Sequence, residues 1–244
     1  MTAFANFPYE IVETNGEDAL ATWEELKKAG RGAPVALGED LATLMTPFDS
    51  TEWAPLKPIE EILAAADAIS FPDGLHKLRR DERAAAIAVL KNMVPPVDFQ
   101  DEEYQTPLGE WPTETLPSLG LSVAYDIRTR QPRSTVHIAL IPTDDPTTIP
   151  AYMHWGNWNE CPPSAYHVAA LRAWRDRYGA ELIGLGEGTI NMRVLRKPAT
   201  REEALKLARI QHVYCSDIID QGVGSYRALA AALLADDWWF FWWD

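Results

Sequence analysis

A cysteine, two histidines and several indoles and amides crowd one stretch of this chain: His154-Trp155-Gly156-Asn157-Trp158-Asn159-Glu160-Cys161-Pro162-Pro163, with His167 just beyond. The paired prolines announce a helix, because proline suits a first helical turn. Cys161 therefore stands ahead of a helix amino terminus, where free N–H groups and the positive dipole end favour a thiolate. His154 or His167 is near enough in sequence to take the thiol proton, and Asp217 or Glu160 to orient the imidazole. This set defines one candidate chemistry, a cysteine nucleophile for acyl or thiol transfer. The plain alternative is that Cys161 packs as a small apolar side chain while Trp155 and Trp158 fill core. Trp155, Asn157, Trp158, Asn159, Glu160 and Tyr214 form a second candidate, a binding surface that needs no reactive group.

Other constellations are weaker. His154, Cys161, His167 and Cys215 supply the two Cys and two His that zinc accepts. The short Cys-x-x-Cys or His-x-x-x-His pairs are missing, so neither a metal nor a cofactor is expected. Gly184-Leu185-Gly186-Glu187-Gly188 is followed by a strand pattern, which suits a hairpin turn and not a phosphate loop. His76 and His137 read as surface or partly buried positions.

The elements that must position these residues follow from periodicity. Leu20, Trp23 and Leu26 mark a helix over 17–29 that Gly30 ends. Residues 33–37 read as a short strand. Ile59, Ile62, Leu63, Ala66 and Ile69 follow Pro58 at helical spacing. Phe71-Pro72-Asp73-Gly74 reads as a turn, and a helix is expected from Arg79 to Met93. Apolar alternation over 121–127 and again over 135–140 predicts a strand hairpin, and 151–155 a third strand. A helix with the stripe Val168, Leu171, Trp174 and Tyr178 ends at Gly179. Strands over 181–185 and 189–196 follow it. Thr200 and Glu203 form a capping box that opens a helix to Tyr214. A helix over 225–234 precedes Trp238-Trp239-Phe240-Phe241-Trp242-Trp243, which reads as a strand inside the sheet because six adjacent aromatics would invite aggregation if exposed. The expected fold class is α+β: an antiparallel or mixed sheet covered by helices, with a mainly helical amino-terminal region.

Composition narrows the function. The net charge of −14 is uneven: residues 1–118 carry 22 acidic and 9 basic side chains, residues 119–244 carry 14 and 13. Such a surface repels phosphate, which argues against nucleic acid, and attracts a basic protein. No apolar run is long enough for a membrane helix and no signal-peptide pattern opens the chain, so the cytoplasm is expected. Two cysteines are too few for a disulfide scaffold. Residues 94–118 hold five Pro, six acidic and no basic side chains. They read as a linker or loop between a helical region, 1–93, and an α+β domain, 119–244.

The run Trp158-Asn159-Glu160-Cys161-Pro162, then Trp174, Tyr178-Gly179-Ala180-Glu181, Ala204 to Ala208, Tyr214-Cys215-Ser216-Asp217 and the Trp-rich end resembles the bacterial domain-of-unknown-function 4253 family over residues of about 150–244. Asn157 stands where a second glycine is common in that pattern, and Ser216 where proline is common. The resemblance implies a bacterial, cytoplasmic protein with a separate carboxyl-terminal domain, and no role for any residue. Two functions stay open. One is a binding module, in its most specific form an immunity-like protein that neutralises a basic partner. The other is an enzyme using Cys161 with a histidine. Oligomeric state is not legible.

Overall fold

The computed structural model describes residues 7–48, 56–91, 106–115 and 118–244. A six-stranded mixed sheet organises it. The strands are β1 (Glu10–Thr14), β2 (Ala33–Gly38), β3 (Val136–Ile141), β4 (Glu181–Leu185), β5 (Thr189–Arg193) and β6 (Trp238–Trp242), in the order β1-β3-β2-β4-β5-β6. Every neighbouring pair is antiparallel except β2 and β4, which run parallel. The fold is α+β, as expected. Strands from residues 10–38 thus share one sheet with strands from residues 136–242.

Both faces of the sheet are covered. Val35, Leu37, Ala139, Ile141, Leu182, Met192 and Phe241 look toward helices α5 (Ile149–Tyr152), α6 (Ser164–Tyr178), α7 (Arg201–Tyr214) and α8 (Tyr226–Ala235). Ala36, Ile138 and Ile183 look the other way, toward α1 (Ala19–Ala29) and residues 121–124. Trp23 anchors α1 there and donates its indole N–H to the Pro34 carbonyl at 2.7 Å. Double coverage leaves β2 and β3 buried along their whole length. His137, expected at a surface or partly buried position, is therefore buried, with Nδ1 at 3.1 Å from the Gly38 carbonyl.

Local signals set the helix ends. Gly30 and Gly179 adopt left-handed conformations that close α1 and α6. Thr200 accepts from the Glu203 N–H, and the Glu203 carboxylate accepts from the Ala199 N–H. The shorter helices α2 (Ala42–Met45) and α3 (Ile59–Asp67) belong to the amino-terminal half.

Four expectations are corrected. Residues 121–127 are not a strand: Ser122–Ala124 form one 3-10 turn pressed on the sheet, and only Tyr125 bridges to Pro132. The alternation of Leu121 and Val123 mimics a strand, but the fully buried Asn191 of β5 captures this backbone. Its Oδ1 accepts from the Val123 N–H at 3.1 Å, and its Nδ2 donates to Ser122 Oγ at 2.9 Å. Residues 151–155 are not a strand either; α5 occupies 149–152 and a loop follows. The helix expected from Arg79 begins at Asp73, whose carboxylate suits a first turn, and α4 spans Asp73–Lys91. Its expected end at Met93 lies outside the described residues, as does much of 94–118. Finally, β6 lies at the sheet edge and not inside it.

Residues 106–115 are strapped over α7 and α8. The Tyr226 and Arg227 N–H groups donate to the carbonyls of Pro107 and Leu108, and the Arg201 guanidinium sits 4.6 Å from the Trp111 ring centre. Asn191→Ala is expected to cost about 1–3 kcal/mol, because it leaves the buried Val123 N–H without a partner. Chemical denaturation checks the loss, and exposure of the 121–124 segment to a protease checks its cause.

Candidate functional site

The cleft lies at the carboxyl ends of the two parallel strands. Where β2 and β4 finish, their following loops diverge, and open sheets place ligands in crevices of this kind. The cleft encloses about 890 Å³. Its walls are the loop after β2 (Gly38 to Pro47), the β4–β5 turn (Gly186 to Thr189), the loop between α5 and α6 (Met153 to Asn159), and the tail after β6. A Thr43 hydroxyl donating to Glu187 at 2.9 Å joins the two strand loops across it.

The loop between α5 and α6 has unusual backbone. His154, Gly156, Asn157 and Asn159 all have positive φ, at 48°, 107°, 75° and 44°. Asn and His tolerate the left-handed region better than most side chains, and such residues gather at ligand sites. Only glycine fits at 156: a Cβ there would approach the Pro162 carbonyl oxygen to 2.3 Å and His167 Nε2 to 2.8 Å. The loop is tied down by the Asn157 N–H donating to the Cys161 and Pro162 carbonyls. The Trp155 indole N–H donates to the Gly186 carbonyl at 2.9 Å. Ser164 Oγ donates to the Trp155 carbonyl at 2.7 Å.

Cys161 and His167 do meet, but behind the cleft wall. Cys161 Sγ lies 3.4 Å from His167 Nε2, and His167 Nδ1 shares a short hydrogen bond with the Tyr214 hydroxyl. Trp155 packs on the imidazole at 4.8 Å between ring centres and itself faces the cleft, whereas neither Cys161 nor His167 lines it. Cys161 is 3 % exposed and His167 fully buried. Burial pushes the Cys161 thiol well up and the His167 imidazole down to about 3, and it raises Tyr214 as well. All three are neutral at pH 7. Either the thiol donates to Nε2 and Nδ1–H to the hydroxyl, or the chain runs in reverse. This is a satisfied polar thread in an aromatic core, not a thiolate–imidazolium pair.

The remaining candidates separate. Trp155, Asn157, Trp158 and Asn159 line the cleft. His154 lines it too, with its ring 5.9 Å from that of Phe48, and its burial lowers its pKa. Glu160 points elsewhere: its carboxylate accepts from Ser216 at 2.7 Å and its carbonyl from Arg79 at 2.6 Å. Tyr214 is in the core. Asp217 accepts from Gln221 at 3.0 Å and from the Asp244 N–H at 3.4 Å, so it holds the tail and orients no histidine. Cys215 donates to the Trp242 carbonyl at 2.8 Å, and no group of three His, Cys, Asp or Glu stands together among the described residues.

Sequence reasoning missed the opposite wall. Glu39, Asp40, Thr43 and Arg133 face the cleft from segments that carry no motif, and Glu187 faces it from the Gly-rich β4–β5 turn. Arg79 was also missed. From α4 its guanidinium reaches the carbonyls of Val213, Tyr214 and Glu160, so it joins the end of α7 to the Trp158–Cys161 loop.

The Trp-Asn-Glu-Cys-Pro element thus shapes the cleft wall, and the Trp-rich end packs against it through Trp243, 5.6 Å from Trp155 between ring centres. Residues 137–244 match the family model Domain of unknown function (DUF4253). The matched DUF4253 segment reaches back beyond the expected 150 to take in β3. It supplies the aromatic wall, while the acidic loop after β2 comes from outside it. No curated protein and no solved structure matches the chain. No helix among the described residues is long and apolar enough to cross a membrane.

Proposed function

We propose that the chain is a binding module whose cleft receives a cationic segment of a basic protein. The observation that carries this reading is the pairing of indoles with uncompensated carboxylates in one cleft. Glu39, Asp40, Glu187 and Asp244 line it. Arg133 neutralises Glu39 at 2.7 Å. Asp40, Glu187 and Asp244 accept from the Ala42 N–H, the Thr43 hydroxyl and the Gln221 amide, which are neutral. Half-buried Trp158 and Trp242 offer ring faces, on which a guanidinium or ammonium is attracted by the ring quadrupole. The acidic amino-terminal half steers such a partner from a distance.

Fluorescence anisotropy with labelled nona-arginine tests this. Asp40→Asn combined with Glu187→Gln is expected to weaken binding about tenfold. Raising NaCl from about 50 to about 300 mM is expected to weaken the native protein's binding steeply. Equal affinity for the double variant, or no salt dependence, overturns the reading. A cysteine enzyme would behave differently: Cys161 would react with Ellman's reagent in the folded protein at the rate of a free thiol. We expect both thiols to stay silent until the protein is unfolded.

A further inference from the structure

We infer that a second cavity, between β6 and α8, is a site for a small neutral apolar molecule bearing a carbonyl oxygen. The cavity encloses about 500 Å³, within the range of small-molecule sites. Leu229 and Leu233 of α8, Ile218 and Val223 of the preceding turn, and Trp238 and Phe240 of β6 supply apolar walls. Two of its lining residues hold donors that nothing satisfies. Gln211 of α7 and Trp239 of β6 are 1 % and 2 % exposed, and neither Gln211 Nε2 nor Trp239 Nε1 has a hydrogen-bond partner. A buried donor left unpaired is costly, and a core normally avoids it. Two of them, on residues that line one apolar cavity, match an acceptor that arrives with a ligand.

The charge of that ligand follows from the wall. Among the described residues no Lys, Arg or His lines the cavity, and the two carboxylates there already accept hydrogen bonds. Asp236 accepts from the Ser118 and Trp238 N–H groups, and Asp217 from Gln221 and the Asp244 N–H. An anion would meet no cation, and each oxygen of Asp217 and Asp236 already accepts a hydrogen bond, so the unmet demand of this wall is its two unpaired N–H donors, which call for an acceptor. A ketone, ester or amide oxygen suits the Gln211 amide and the Trp239 indole. On the rim, Ile218–Val223 form a π turn in which Gly222 leaves helical geometry, and such turns frequent functional sites. The lower part of the tail, Trp242, borders both this cavity and the acidic cleft.

The test uses prodan, a neutral naphthyl ketone whose emission shifts in apolar surroundings, titrated into the whole protein. Saturable, blue-shifted binding is expected. It should be lost in Ala232→Trp, which fills the cavity from α8. Gln211→Met should weaken prodan about fivefold without lowering Tm, because it removes an unpaired donor. The ketone-free parent dimethylaminonaphthalene should bind native protein about fivefold more weakly than prodan and be indifferent to Gln211→Met. Asp40→Asn with Glu187→Gln should leave prodan binding unchanged, which separates this site from the acidic cleft. Absence of saturable binding, full binding to Ala232→Trp, or equal loss of both probes in Gln211→Met overturns the inference.

Discussion

Phe241→Ala will lower stability by about 3–5 kcal/mol, while Phe240→Ala, one residue away, will cost less than about 1 kcal/mol. Phe241 is fully buried and stacks on Trp174 at 5.3 Å with the rings 3° from parallel; Tyr214 meets it edge-on at 5.0 Å. Truncation opens a void that these rigid rings cannot close. Phe240 is 40 % exposed on the opposite face of β6. Urea denaturation of the two variants measures the contrast. Equal losses would mean that the aromatic tail does not alternate between core and surface.

The second large effect is a loss of stability in acid that traces to His167. Burial depresses this imidazole from its ordinary 6.5 to about 3 in the folded protein. The unfolded chain therefore takes the proton first as pH falls. The contribution of neutral His167 is complete above about pH 6.5 and drains away through the window down to about 3, at about 1.4 kcal/mol per pH unit. His167→Leu will be less stable than the native protein at pH 7, because it strands the Tyr214 hydroxyl. The gap between the two proteins will narrow by about 2–3 kcal/mol on going from about pH 7 to about pH 4.5. Urea unfolding at matched pH reads this difference, and exposed carboxylates cancel in it. A gap that stays constant would mean that His167 titrates normally.

Both effects arise in one aromatic cluster, and it explains why Cys161 is quiet. Trp155, Tyr214 and Trp243 pack on the His167 imidazole, Trp174 and Phe241 pack in turn on Tyr214, and burial in this cluster keeps the thiol and imidazole uncharged. Proximity of a cysteine and a histidine is a sequence-level expectation that held, at 3.4 Å. Reactivity depends on solvent access to the pair, and that is closed off by Tyr214 of α7 and Trp243 of the tail, both far along the chain.

The sequence by itself determined what neighbours along the chain decide. Gly30 and Gly179 stopped their helices because only glycine enters the left-handed region freely. Thr200 and Glu203 opened α7 through bonds spanning a single turn. The tail alternated because a strand turns successive side chains to opposite faces. Tertiary structure alone decided the rest. Leu121 and Val123 alternate like a strand, but Asn191, far along the chain, bonds the Val123 N–H and the Ser122 hydroxyl and holds the segment in a turn. The cleft exists because β2 pairs in parallel with β4, which brings Asp40 and Glu187 to one opening although no local pattern relates them. Local rules act through fixed bond geometry over a few residues. A site assembled by strand pairing across most of the chain is governed by burial, and burial is a property of the whole fold.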